Sequence, residues 1–252
     1  MNLLQRAAIR KSAVEAGFDV LEDRHDAVLC RSSHAPLICA IWQIESGAFL
    51  IALSMLNVVE ALGDSQVAKD ALTLPDALPP MVAVFSVTNT SSLEQFLNRA
   101  WLLSRALPNA LVDRYEKSIA EISSTEREAT VRQRVGQNLF REGLLTLWEG
   151  RCAITGLDTP ELLRASHAKP WADSSDIERL DVFNGLLLAA HWDAAFDSGL
   201  ITISTNGRVI PSPALSDGAI GILRLSDDLC IRLQPQHEPY LAWHRERVFK
   251  KS

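Results

Sequence analysis

Residues 151–203, RCAITGLDTPELLRASHAKPWADSSDIERLDVFNGLLLAAHWDAAFDSGLITI, set a histidine, an asparagine and paired acids in an order that could do chemistry. The strand-like LLRASHA carries His167, a polar loop follows, and Asn184 opens a second apolar run. A short helical stretch then sets Trp192 and Phe196 four apart, and Asp193 and Asp197 four apart. At that spacing both carboxylates share one helix face. A strand, a strand and a helix arranged this way could grip one divalent ion.

The chemistry these residue types would serve is hydrolysis of a phosphodiester. Water is a poor nucleophile at neutral pH, so a base within hydrogen-bond reach must take its proton. His167 suits that task because an unperturbed imidazole titrates near ~6.5. A hard cation can neutralise the scissile phosphate and the departing oxygen, and carboxylates are its natural ligands. The Asn184 amide both donates and accepts, so it can tie the loop between the strands and orient the histidine.

The elements that must position these groups are legible on both sides. The Asn-Gly in Thr205-Asn206-Gly207 predicts a hairpin after the acidic stretch. Upstream, Thr125 with Glu128 fits a capping box, and Val131, Val135, Leu139, Phe140, Leu144, Leu147 and Trp148 keep helical spacing up to Gly150. Gly136 and Gly143 weaken that helix and predict a kink or a split. Residues 91–121 are also helical in pattern, with Pro108 breaking the run. The runs FDVLED, AVLCRS, LICAIWQI and GAFLIAL predict a small sheet of about four strands, followed by a strand-like MVAVFSV. Leu3, Leu4, Ala7, Ile9 and Val14 mark a helix at the start. The predicted class is α+β, with an N-terminal domain over residues 1–121 and a second domain over residues 122–252.

The segment from about Arg134 to Ser212 resembles the HNH endonuclease family, in the branch marked by S-H-x-x-P-W and N-G-L-L-L … F-D-x-G-L. The resemblance runs through GQNLFREGLL, GRCAITG, LLRASHAKPW, RLDVFNGLLL and AAFDSGLI. It implies a ββα-metal hairpin and helix, and metal-dependent cleavage of DNA in a restriction, defence or mobile-element setting. By position, His167 matches the family's general base and Asn184 the asparagine that orients it. The third motif place, usually histidine, holds Asp193, with His191 two residues earlier. Asp197 falls on a further ligand place, and Ser166 stands where many members have an acid. The implied metal shell is therefore Asp193 and Asp197 first, then His191 and Ser166, with waters completing it.

That shell suits Mg²⁺ best, with Mn²⁺ or Ni²⁺ as alternatives and Zn²⁺ less suited. Arg151, Arg164, Lys169 and Arg179 flank the motif as candidates for phosphate contact or as solvated surface charge. Further basic residues lie at Arg127, Arg132, Arg134 and Arg141, and in Trp243-His244-Arg245 with Arg247 near the C-terminus. The implied partner is double-stranded DNA, modified or not. A homodimer would cut both strands, and residues 1–121 would choose the target or bind a partner. The departures at Ser166 and Asp193 keep a second reading open, a catalytically weakened DNA-binding or regulatory module.

Composition bounds these readings. The 252 residues are 47% hydrophobic and 22% charged, near the globular average. The formal net charge is −6, which by itself argues against wrapping nucleic acid. Residues 1–125 carry 10 Lys plus Arg against 14 Asp plus Glu, and residues 126–252 carry 15 against 17. A divalent ion on Asp193 and Asp197 would bring the second part near neutrality. Cys30, Cys39, Cys152 and Cys230 form no C-x-x-C pair, so neither a disulfide framework nor a cysteine zinc site is expected. No apolar run approaches the ~20 residues of a membrane helix, and a cytoplasmic protein is expected.

Overall fold

Pro108 opens a helix, because its fixed φ and missing N–H suit a first turn, and it stands at the join of two compact units, Met1–Ala110 and Leu111–Ser252. The computed structural model describes residues 1–24, 26–44, 46–63, 78–120, 126–226 and 228–251, and only the backbone of 126–129. The capping box at Thr125 and Glu128, and the join expected near 122, lie outside what is described.

In the first unit the apolar runs form an antiparallel sheet in sequential order. Its strands are β1 (Val20–Asp23), β2 (Val28–Arg31), β3 (Cys39–Gln43), β4 (Phe49–Leu53) and β5 (Ala83–Val87). The fifth comes from MVAVFSV, which pairs Phe85 with Ile51. Every residue of β4 is buried, which explains why FLIAL does not alternate. Helices α1 (Leu3–Glu15), α2 (Leu56–Leu62) and α3 (Thr90–Ala106) complete the unit, and α1 packs on α3. The face α1 buries is Ile9, Ser12 and Ala13, whereas Leu3, Leu4 and Val14 stand exposed. Spacing located that helix but not its inward face.

The second unit starts from α4 (Pro108–Ile119) and α5 (Glu126–Leu147). The helix α5 is not split at either glycine. Gly136 serves a neighbour instead, since a Cβ there would lie 2.7 Å from the Trp171 ring. Next come β6 (Leu163–His167), α6 (Asp176–Leu180), β7 (Gly185–Ala189) and α7 (Ala190–Asp197). β6 and β7 pair antiparallel, with Ser166 opposite Leu186 and His167 opposite Gly185. The expected hairpin is β8 (Ile201–Ile203) with β9 (Val209–Pro211), turning through Gly207 at φ +84°. Helices α8 (Asp217–Leu223) and α9 (Glu238–Arg247) close the unit.

The basic C-terminal end is only partly free. His244 is buried, and Arg245 donates to the Ile203 carbonyl and pairs with Glu238. The last residues fold back on the exit of α7. Lys250 N–H donates to the Gly199 carbonyl at 3.0 Å, and the Lys250 carbonyl accepts from Ser212 at 2.6 Å. Gly199, at φ +70°, would put a Cβ 2.1 Å from the Val248 carbonyl oxygen. The left-handed φ and the close backbone both demand glycine.

Two measurements test this unit. Gly199→Ala should lower the stability of the second unit by about 2 kcal/mol or more, read as a lower urea midpoint. An unchanged midpoint would mean that the tail does not pack there. Burial also pushes His237 and His244 from 6.5 down to about 4. At pH 7 both are neutral, folded or unfolded, and cost nothing. Below about 6.5 the unfolded chain takes up protons that the fold refuses, so stability falls by up to ~3 kcal/mol per histidine by pH 4. Burial raises Asp181, Asp193 and Asp197, which offsets part of the loss in the lower half of that window. Urea midpoints should drop between pH 7 and 5.5, and a flat profile there would contradict the burial of both rings.

Candidate active site

The connection from β6 to β7 spans residues 168–184, too long to hold itself as a tight hairpin turn. Asn184, with no exposed surface, fixes it. Its Oδ1 accepts from Lys169 N–H at 2.8 Å, and its Nδ2 donates to the carbonyls of Lys169 (3.2 Å) and Glu178 (3.0 Å) and toward Ser174 Oγ (3.3 Å). Its own carbonyl accepts from Ala168 N–H. The start and the middle of the loop are thereby stitched to one side chain.

His167 lies at the end of β6, its ring stacked on Phe140 of α5 at 3.7 Å and edge-on to Trp171. Nε2 lies 3.1 Å from the Arg179 carbonyl. A carbonyl only accepts, so Nε2 carries the hydrogen and Nδ1 keeps its lone pair. Nδ1 makes no protein hydrogen bond among the described residues and is not sealed from solvent. Burial lowers the ring to about 4, against the raising effect of that hydrogen bond. The imidazole is therefore neutral at pH 7.

The acids gather one residue earlier on the strand. Ser166 Oγ, itself buried, donates to Asp197 Oδ1 at 3.0 Å and lies near enough to Asp193 to lower its carboxyl. Burial raises the carboxyls of Asp193 and Asp197, and the charge of Asp193 raises Asp197 further. Arg164 lies close enough to Asp193 to pull it back down. His191 is exposed on α7 and tilts against Trp192, outside this group.

Among the described residues, no cluster of three or more His, Cys, Asp or Glu side chains could hold a metal. The group that exists is two carboxylates and a hydroxyl. These are hard oxygen donors held together against their own repulsion, and that donor set fits a hard, partly hydrated cation better than Zn²⁺.

Of the basic residues, Arg151 and Arg164 are exposed. Arg151 pairs with Asp158, and Arg164 bonds the Glu161 and Leu163 carbonyls. Lys169 and Arg179 are turned into the loop. Lys169 pairs with Glu178 at 2.7 Å, while Arg179 bonds the Trp171 carbonyl and Asp176 and lies over the Trp171 ring. Sequence reasoning missed Glu178, which joins a capping box with Ser175 to the Lys169 pair. The S-x-x-E pattern was there to be read. It also missed what two named residues do: Arg141 holds the Leu163 and Pro160 carbonyls at the start of β6, and the buried sulfur of Cys152 accepts from Ala189 N–H. Neither contact leaves a sequence signal.

Comparisons with known proteins bear on the same stretch. A search of curated proteins gave no match. Among solved structures, one described as "Modification dependent TagI restriction endonuclease" is similar at 19% identity, with a TM-score of 0.31, over 42% of this chain and 36% of that chain. A family model described as "HNH endonuclease" matches residues 152–204. That range holds Ser166, His167, Asn184, Asp193 and Asp197, and leaves out α5 and α9. Residues 152–204 thus carry an HNH endonuclease domain, which supports a nuclease activity.

Proposed function

We propose that this nuclease hydrolyses duplex DNA with a divalent cation, His167 taking the proton of the attacking water and Asn184 holding the loop that aims it. The observation that carries the reading is the hydrogen bond from His167 Nε2 to the Arg179 carbonyl. It leaves Nδ1 as the acceptor, on a ring that burial keeps neutral at pH 7. The carbonyl belongs to the loop that Asn184 stitches, so Asn184 acts on the base through the backbone.

Asp193, Asp197 and Ser166 would hold the cation, Mg²⁺ fitting best and Mn²⁺ or Ni²⁺ as alternatives. When bound, it would stabilise negative charge on the phosphate and the leaving oxygen. Ser166 and His167 are consecutive, with Cα atoms about 3.8 Å apart. The base and the acidic group thus both stand at the end of β6. Arg164 and Arg151 supply the exposed positive charge for neighbouring phosphates, while Lys169 and Arg179 keep the loop in shape. Residues 1–121 choose the target or bind a partner. A homodimer would bring two sites to the two strands.

A plasmid cleavage assay tests this with unmodified and modified DNA, in Mg²⁺ or Mn²⁺. His167→Ala should lose about 10²–10⁴-fold in rate, the range for a general base. EDTA should abolish cleavage. Asp193→Asn and Asp197→Asn should each weaken Mn²⁺ binding by calorimetry while the far-ultraviolet dichroism stays that of a folded chain. Equal cleavage by His167→Ala removes the base from the mechanism. A wild-type chain that cleaves none of these DNAs favours a binding or regulatory module.

A further inference from the structure

Asp197 occupies a poor place for a metal ligand. It is the last residue of α7, where helices fray and where the dipole disfavours negative charge. Something other than the helix must hold it, and the contacts there lead to α9, beyond the family-matched residues. We propose that His244 is a positioning residue that fixes the last turn of α7, and with it the Asp193–Asp197 pair. The inference rests on the nuclease reading above.

The His244 ring lies flat on Phe196, with centroids 3.8 Å apart and planes within 3°. Its Nε2 is 3.0 Å from the Phe196 carbonyl, the peptide that leads into Asp197. That carbonyl can only accept, so Nε2 is the protonated nitrogen. Nδ1 then accepts from the Thr202 hydroxyl at 2.9 Å, on β8. His244, Phe196 and Thr202 are all at most 1% exposed. A ring needed only to fill space could be leucine or phenylalanine. This one uses both nitrogens to tie the end of α7 to the strand that follows it.

One helical turn earlier on α9, Tyr240 donates to Asp181 Oδ2 at 2.7 Å, and Asp181 Oδ1 caps the Phe183 N–H at 2.9 Å. Residues four apart share a helix face. The same face of α9 therefore braces the turn into Asn184 and the end of the acidic helix. Helix α9 is a splint across the site, and His244 is the point where it meets the end of the acidic helix.

The test uses the full chain. His244→Phe keeps the ring stack and loses both hydrogen bonds, while His244→Gln restores an N–H donor. Mn²⁺ affinity is read by calorimetry, and kcat and KM by DNA cleavage. His244→Phe should weaken Mn²⁺ binding and kcat each by about tenfold, the lower end for partners of metal ligands. KM for DNA should stay within about twofold, because the DNA-facing arginines are untouched. His244→Gln should recover most of both losses. A folded His244→Phe with wild-type Mn²⁺ affinity and kcat overturns the proposal, and so does a His244→Gln no better than His244→Phe. Should His244→Phe fail to fold, Thr202→Val carries the test. It removes only the Nδ1 partner, and an unchanged Mn²⁺ affinity in it overturns the proposal equally. The wild-type arm separates the two claims. Mn²⁺ binding without cleavage of any DNA counts against the nuclease mechanism, while the His244 variants still decide the positioning of the acids.

Discussion

The site depends on the burial of one amide, the Asn184 side chain. A buried polar group without partners costs about 1–3 kcal/mol, and this one has found partners at the start and in the middle of the loop that joins β6 to β7. The connection is thereby forced into one shape. With the loop fixed, the Arg179 carbonyl stands where His167 Nε2 must point, and Lys169 and Glu178 close an ion pair across it. The asparagine touches neither the histidine nor the acids. It fixes the segment whose Arg179 carbonyl meets His167 Nε2.

A second constraint follows from strand geometry. Side chains alternate across a strand, and Ser166 and His167 are neighbours on β6 with different surroundings. Ser166 meets Asp197 of α7, and His167 meets Phe140 of α5. The hairpin is therefore held between two helices. Gly185, opposite His167, leaves room for the Phe140 ring, since a Cβ there would lie 2.4 Å from it. That explains the Asn-Gly pair better than a turn does. Asn184 must enter the core and Gly185 must leave space, so the dipeptide marks a packing requirement at the start of β7.

Much of this was legible in the residues, for identifiable reasons. His167, Asn184, Asp193 and Asp197 sit at spacings that only a strand, strand and helix reconcile, and periodicity carries that information. The fifth strand, the two helices meeting at Pro108 and the Asn206-Gly207 hairpin were readable in the same way. What could not be read is what depends on another part of the chain. The exposure of Leu3 and Leu4, the continuity of α5 through Gly136, and the inward turn of His244 each depend on a neighbour distant in sequence. His191 shows how little residue type says about placement. Its type suggested a ligand, but helical geometry turns it away from the acids it nearly adjoins.

The same distinction changes how the charge of −6 bears on DNA. A count of basic residues around the motif treats each as available. In the fold, Lys169, Arg179 and Arg141 bond carbonyls or carboxylates of the scaffold, and Arg245 does the same from α9. Their positive charge goes into holding loops and strand ends, leaving less for phosphates than the sequence suggests. Arg164, exposed and beside Asp193, is placed differently. A phosphate held there would meet an arginine on one side, and on the other a carboxylate pair whose repulsion a cation would relieve. On the proposed function, affinity for a polyanion and affinity for a divalent ion would be one electrostatic problem. The acidity that counted against DNA in the composition becomes, at this spot, the reason DNA and metal would have to bind together.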